Sequence, residues 1–237
     1  LTDSDEVTAM SKLLFGTGLR TVADTASYAR RVEQLGFDVL GCGEHVMFHG
    51  PIGNTFIQLA AAAGATERIK LMSTIALLPL YPATLAAKMG AVLDVVSGGR
   101  YLCGLGIGGE FPKEFEACGV PVNERGPRTT EAMQVIRRLW NERDVTFHGR
   151  FNTLNGITLD PPPVQRPGPP LWVAGRKEAA MRRAALYGDG WMPYMYAPEQ
   201  LAESIATITR LRAENPVASH DFNHGIFIFS AAHRDAE

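Results

Sequence analysis

Seven short apolar runs alternate with helix-patterned segments along nearly the whole chain, and this alternation constrains the fold more than any single motif. The first run is "KLLFGTGL" (12–19), followed by a stripe of Val22, Ala26, Ala29, Val32 and Leu35 at helical spacing that Gly36 closes. "FDVLGCGEH" (37–45) precedes helix "TFIQLAAAAGAT", "IKLMSTIALL" (69–78) precedes "ATLAAKMGAVLDVVS", and "RYLCGLGIG" (100–108) precedes "RTTEAMQVIRRLW". "PLWVAG" with a helix over 177–187, "DGWMP" with a helix over 198–213, and "HGIFIFSA" (224–231) complete the set.

Strands apolar on both faces, each joined to the next by a helix, predict an α/β fold with a parallel sheet covered on the outside. Two closures satisfy that pattern, an open doubly wound sheet and a (β/α)8 TIM barrel. Residues 1–237 read as one domain with insertions at about 109–124 and 144–170, the second a β-hairpin with a Pro-rich extended return. An eighth strand is missing or lies beyond this chain end, and a closed barrel would need it.

Composition narrows the function. With 46% hydrophobic residues among 237, a sizeable core is expected. A formal charge of −2 with scattered cations predicts no nucleic-acid partner. No apolar run reaches the ~20 residues of a membrane span and no leader pattern is present, so a cytoplasmic location is expected. Of the three cysteines, Cys42 and Cys103 sit in apolar strand runs and read as packing residues. Ala-rich helices such as 59–65 suit packing against a second copy, which makes a homodimer the expectation.

Gly104, Gly106 and Gly109 have the spacing G-x-G-x-x-G. A dinucleotide fingerprint would sit in the first βα turn and open directly into a long helix. Here the glycines end the fourth run, Pro112 follows, and the next strong helix starts only near Pro127. Gly104, Gly106 and Gly108 instead alternate along one strand face and leave it bare. In a barrel that face points inward, which suits either a flat ring over the strand ends or tight packing of the barrel itself.

Several polar groups fall at strand ends, where an α/β barrel builds its active site. His45 ends the second run, Glu110 follows the fourth, and "VAGRKEAA" passes from strand through Gly175 into a helix. Ala174, Gly175, Arg176 and Lys177 there form a candidate phosphate site of free backbone N–H groups and positive charge. His45 and His49 offer no third ligand, so no metal site is expected. Arg125 and Arg128 are expected to tie down the insertion, and Trp191, Tyr194 and Tyr196 to form an aromatic wall or part of the core.

The runs "LGFDVLGCGEH", "ERIKLMSTIALLPLYPATLAAKMGAVLDVVSGGRYLCGLGIGGEFPKEFEACGVPVNERGPRTTEAM" and "PPLWVAGRKEAAMRRAALYGDGWMP" resemble the bacterial luciferase-like family of flavin- and deazaflavin-dependent oxidoreductases. The resemblance implies a (β/α)8 barrel with its cofactor at the carboxyl ends of the strands. It implies reduced 8-hydroxy-5-deazaflavin (coenzyme F-420) for hydride transfer to a small organic substrate, with FMN-dependent monooxygenation as the alternative. A non-catalytic flavin-binding protein is a further alternative, suggested by the absent eighth strand. By the same resemblance His45 stands near the cofactor ring and Glu110 is a proton donor. Thr74–Ile75 is a non-prolyl cis peptide against the ring, with Gly106 and Gly108 beside it.

Overall fold

The structure is a computed structural model, and it describes residues 13–20, 22–215, 221–226 and 228. The amino-terminal end of the first predicted strand (Lys12) and half of the run at 224–231 lie outside the described residues.

The sheet begins with β1 (Gly16–Gly18), β2 (Val39–Cys42), β3 (Lys70–Ser73) and β5 (Tyr101–Gly106), and continues through β8 (Leu171–Ala174), β9 (Gly190–Met192) and β10 (Asn223–His224). All neighbours are parallel, in the order β1-β2-β3-β5-β8-β9-β10, while the two-residue β4 (Ala76–Leu77) also pairs with β5. The sheet is curled into a half-barrel, and among the described residues no strand joins β10 back to β1.

Helices α1 (Thr25–Gln34), α2 (Thr55–Ala63) and α3 (Ala83–Val96) connect the first strands; α4 (Pro112–Ala117) and α5 (Arg125–Asn141) follow β5, and α6 (Glu178–Tyr187) and α7 (Pro198–Ala213) the later ones. Each of these except the short α4 buries an apolar stripe against the strands' outer side chains. Leu71, Tyr101, Cys103, Leu105, Leu171, Val173 and Trp191 belong to one buried cluster with Ala29, Leu59, Ala87, Ile136, Ala184 and Ile208. Helix α1 is shorter than its pattern, and Val22 and Leu35, which flank it, are exposed.

The period of two along each strand sends the intervening residues to the other face. Met72, Leu102 and Met192 form a small inner cluster with Val39, Ile75 and Trp172. On β5 the inner positions after Leu102 are Gly104 and Gly106. Burial pushes the Cys42 thiol up to about 11 and that of Cys103 up to about 12, which fits packing rather than reactivity.

The second insertion is an antiparallel hairpin, β6 (Val145–His148) and β7 (Thr153–Ile157), with an extended return. Glu131 on α5 fixes its turn by accepting the N–H groups of Arg150, Phe151 and Asn152 at 2.8, 2.8 and 2.7 Å. Asp94, fully buried on α3, anchors the return by accepting the N–H groups of Val164 and Gln165, both at 2.9 Å. No helix among the described residues is long and apolar enough to cross a membrane.

Candidate active site

The Thr74–Ile75 peptide bond is cis and lies between β3 and β4, at the carboxyl end of the sheet. Glycines on both neighbouring strands make room for this segment. A Cβ on Gly104 would lie 1.9 Å from the Ser73 carbonyl oxygen, and one on Gly106 would lie 1.7 Å from Ile75 Cδ1. On the other side, a Cβ on Gly41 would lie 2.9 Å from Thr74 Oγ1. The bare inner face of β5 is thus filled by the chain itself. Gly108, at φ +58°, is crowded in the same way, 2.9 Å from Leu77 Cδ2.

The segment is tied to β2 at both ends. Thr74 N donates to Cys42 O at 2.7 Å, and Leu77 N donates to Glu44 Oε2 at 2.9 Å. Glu44 is buried and also accepts from Asn54 Nδ2 at 2.6 Å and from the Tyr81 hydroxyl. Burial raises its carboxyl above the usual range, opposed by the Tyr81 and Leu77 hydrogen bonds and reinforced by the nearby Glu114. Asn54 does double duty, since its Oδ1 also caps α2 by accepting Ile57 N at 3.1 Å.

His45 points away from Glu44, as alternation along an extended chain requires. Its Nδ1 is 3.2 Å from both carboxylate oxygens of Glu114, whose side chain is 0% exposed. Val46 N donates to the same carboxylate at 3.1 Å. Glu114 arrives on α4, which docks through the fully buried Phe115. The His45 ring stacks on Phe48 at 4.1 Å, and Phe48 separates it from His49, which packs against Phe111 at 5.4 Å. Among the described residues no cluster of three or more potential metal ligands occurs.

Glu110 is exposed and accepts a hydrogen bond from the Tyr194 hydroxyl at 2.9 Å, joining the loop after β5 to the loop after β9. The Arg176 guanidinium lies 4.6 Å from the Tyr194 ring centroid. Burial and the Glu110 hydrogen bond push the Tyr194 phenol up, against the pull of Arg176. Tyr196 holds the same loop by donating to Arg176 O at 2.8 Å.

The β8–α6 turn passes through Gly175 at φ +131°, where Trp191 Nε1 donates to its carbonyl at 2.9 Å. No side chain caps α6; the N–H groups of Ala180 and Met181 bond back to Lys177 O, and Arg176 and Lys177 are exposed beside the helix start. Such an end attracts anions. Trp191 is 0% exposed and belongs to the core, leaving Tyr194 at the rim. Arg125 donates to Val122 O at 2.7 Å and Arg128 pairs with Glu124 at 2.8 Å, so both tie down the insertion.

Glu114, Glu44, Tyr81 and Gly41 are the site residues that the sequence did not single out. The lone strand glycine at 41 was a signal of close backbone approach. Glu114 offered only a weak one, an acid beside a Phe in a six-residue helix.

A curled parallel sheet with titratable side chains and an anion-suited helix start at its strand ends has the architecture of an α/β barrel. The chain belongs to the luciferase-like monooxygenase family, whose model matches residues 6–237. It is 36% identical over 165 residues to an uncharacterized protein of Mycobacterium tuberculosis, covering 69% of this chain and 56% of that one. It is 33% identical over 180 residues to an FMNH2-dependent dimethylsulfone monooxygenase of Pseudomonas putida, covering 75% of this chain and 48% of that one. An F-420-dependent secondary alcohol dehydrogenase, solved with an F-420–acetone adduct, superposes with a TM-score of 0.76 at 25% identity, covering 90% of this chain and 67% of that one. The chain spans about half the length of the curated relatives it matches.

Proposed function

We propose that this chain is the barrel of an oxidoreductase that binds a reduced flavin-type cofactor at the strand ends, the deazaflavin coenzyme F-420 in preference to FMN. The observation that carries this reading is an imidazole and a carboxyl group beyond the ends of the two strands on either side of the cis segment, His45 after β2 and Glu110 after β5. A reduced deazaflavin supplies a hydride. Transfer of a hydride to a carbonyl must be matched by a proton, and a mouth holding an imidazole and a carboxyl group suits that requirement.

The chain's own residues fit such a cofactor. The Thr74–Ile75 segment, seated by Gly41, Gly104 and Gly106, offers a supported backbone surface for a ring. Gly106 and Gly108 act from behind it by admitting Ile75 and Leu77. Ala174 ends β8 and Gly175 leads into α6, where Arg176 and Lys177 suit a phosphate. Exposed Met47, Phe48 and Ile52, in the segment that follows His45, suit a small organic substrate with apolar substituents.

A second reading, FMN-dependent monooxygenation, is favoured by the similarity to the sulfone monooxygenase. Equilibrium titration with coenzyme F-420 and separately with FMN, read by cofactor fluorescence, distinguishes the two. Tighter binding of F-420 is expected; tighter binding of FMN favours oxygen chemistry, and binding of neither overturns both.

A further inference from the structure

We propose that Glu114 is a positioning residue: its carboxylate accepts Nδ1–H of His45 and holds the neutral ring in the tautomer that leaves the Nε2 lone pair free. The geometry leaves little choice. Nδ1 is 3.2 Å from both oxygens of a carboxylate that already accepts Val46 N–H at 3.1 Å and is shielded from water. An ionised carboxylate only accepts hydrogen bonds, so Nδ1 must donate. No partner is found for Nε2 among the described residues.

Two further contacts make this a fixed arrangement. The Phe48 ring stacks at 4.1 Å, with 13° between the planes, and restrains rotation of the imidazole. Glu114 is carried by α4, whose Phe115 is 0% exposed, so docking of the first insertion and orientation of His45 are one event. The insertion thereby sets which nitrogen of His45 meets a ligand as an acceptor. This consequence rests on His45 serving the proposed chemistry, whereas the tautomer itself needs no ligand.

The test is a long-range 1H–15N correlation spectrum of the ligand-free 237-residue protein, labelled with 15N-histidine, at pH 9, where an imidazole is neutral. A His45→Asn spectrum assigns the signal. The Nδ1–H form is expected to exceed the Nε2–H form by about tenfold or more, as for a charge-assisted hydrogen bond to a buried acceptor. In Glu114→Gln the side-chain carbonyl keeps Val46 N–H and the amide NH2 faces Nδ1, so the proton is expected to move to Nε2. A Glu114 that merely fills space would leave the tautomer unchanged in that variant, and this result overturns the proposal. So does an Nε2–H tautomer in the unsubstituted protein, a reading available even where Glu114→Gln does not fold. Failure of the cofactor assignment would leave both spectra as predicted and appear only in ligand titrations.

Discussion

Gly104→Ala isolates the reason for the glycine run. The new Cβ would lie 1.9 Å from the Ser73 carbonyl oxygen, and contacts under 3.0 Å are essentially never seen, so the strands must part by about 1.1 Å. Ser73 cannot yield easily. Its hydroxyl donates to Gly104 O at 2.8 Å, and the next residue donates to Cys42 O at 2.7 Å. Overpacking of this kind costs about 3 kcal/mol or more, a fall in Tm of roughly 6–12 °C for a domain of this size. Gly106→Ala is a matched control, because its new Cβ meets Cδ1 at the end of the Ile75 side chain, which can rotate away. That change should cost about 1–1.5 kcal/mol. Adding Ile75→Val removes Cδ1 and should recover part of the loss in Gly106→Ala while giving nothing back in Gly104→Ala. Thermal unfolding of the five proteins gives the comparison. Equal effects of the two Ala substitutions, or a Gly104→Ala Tm within about 2 °C of the parent, would refute the packing argument.

Other expectations follow from the charged groups. The Glu131 carboxyl is pushed up by burial, but the hydrogen bonds from Asn152 and the 150–152 N–H groups outweigh this and hold it below its usual value. Its stabilisation is therefore present above the ordinary Glu pKa and is lost as pH falls through the lower folded value. The Tm gap between the parent and Glu131→Gln should be wide at pH 7 and shrink progressively below about pH 4.5; a gap constant to pH 3 would contradict the capping role. Lys177→Ala should weaken cofactor binding about two- to fivefold and flatten its salt dependence in a fluorescence titration, the scale of an exposed charge contact. Glu110→Gln should lower kcat by roughly a hundredfold or more with cofactor Kd nearly unchanged, as expected for loss of a general acid; unaltered turnover would remove that role.

Much of the fold was legible because the strand and helix periods are strong: the first six predicted strands, the helices and the hairpin occur, and Pro and Gly mark the insertion ends, while of the seventh predicted strand (224–231) only its first residue lies in β10 among the described residues. Helix ends were less so, since Val22 and Leu35 match the stripe of α1 yet lie outside it. At the site, His45 and Glu110 were legible as polar groups at strand ends. The partner of His45 was not. Glu44 is its neighbour in sequence, but alternation turns the two apart, and Glu44 bonds Leu77 N instead. Glu114 reaches His45 from 69 residues away, and only the docking of α4 through Phe115 separates it from its exposed companions on the same insertion. The glycines of β5 were read correctly as a bare inner face, but their sequence could not say that the chain's own Ser73 carbonyl and Ile75 side chain occupy it.

The most direct test of the proposed site is a crystal structure of this chain with coenzyme F-420. The deazaflavin ring is expected against Thr74–Ile75, with His45 and Glu110 at its edges and the phosphate at the start of α6 beside Arg176 and Lys177. A ring bound away from the cis segment, or a phosphate held elsewhere, would contradict it.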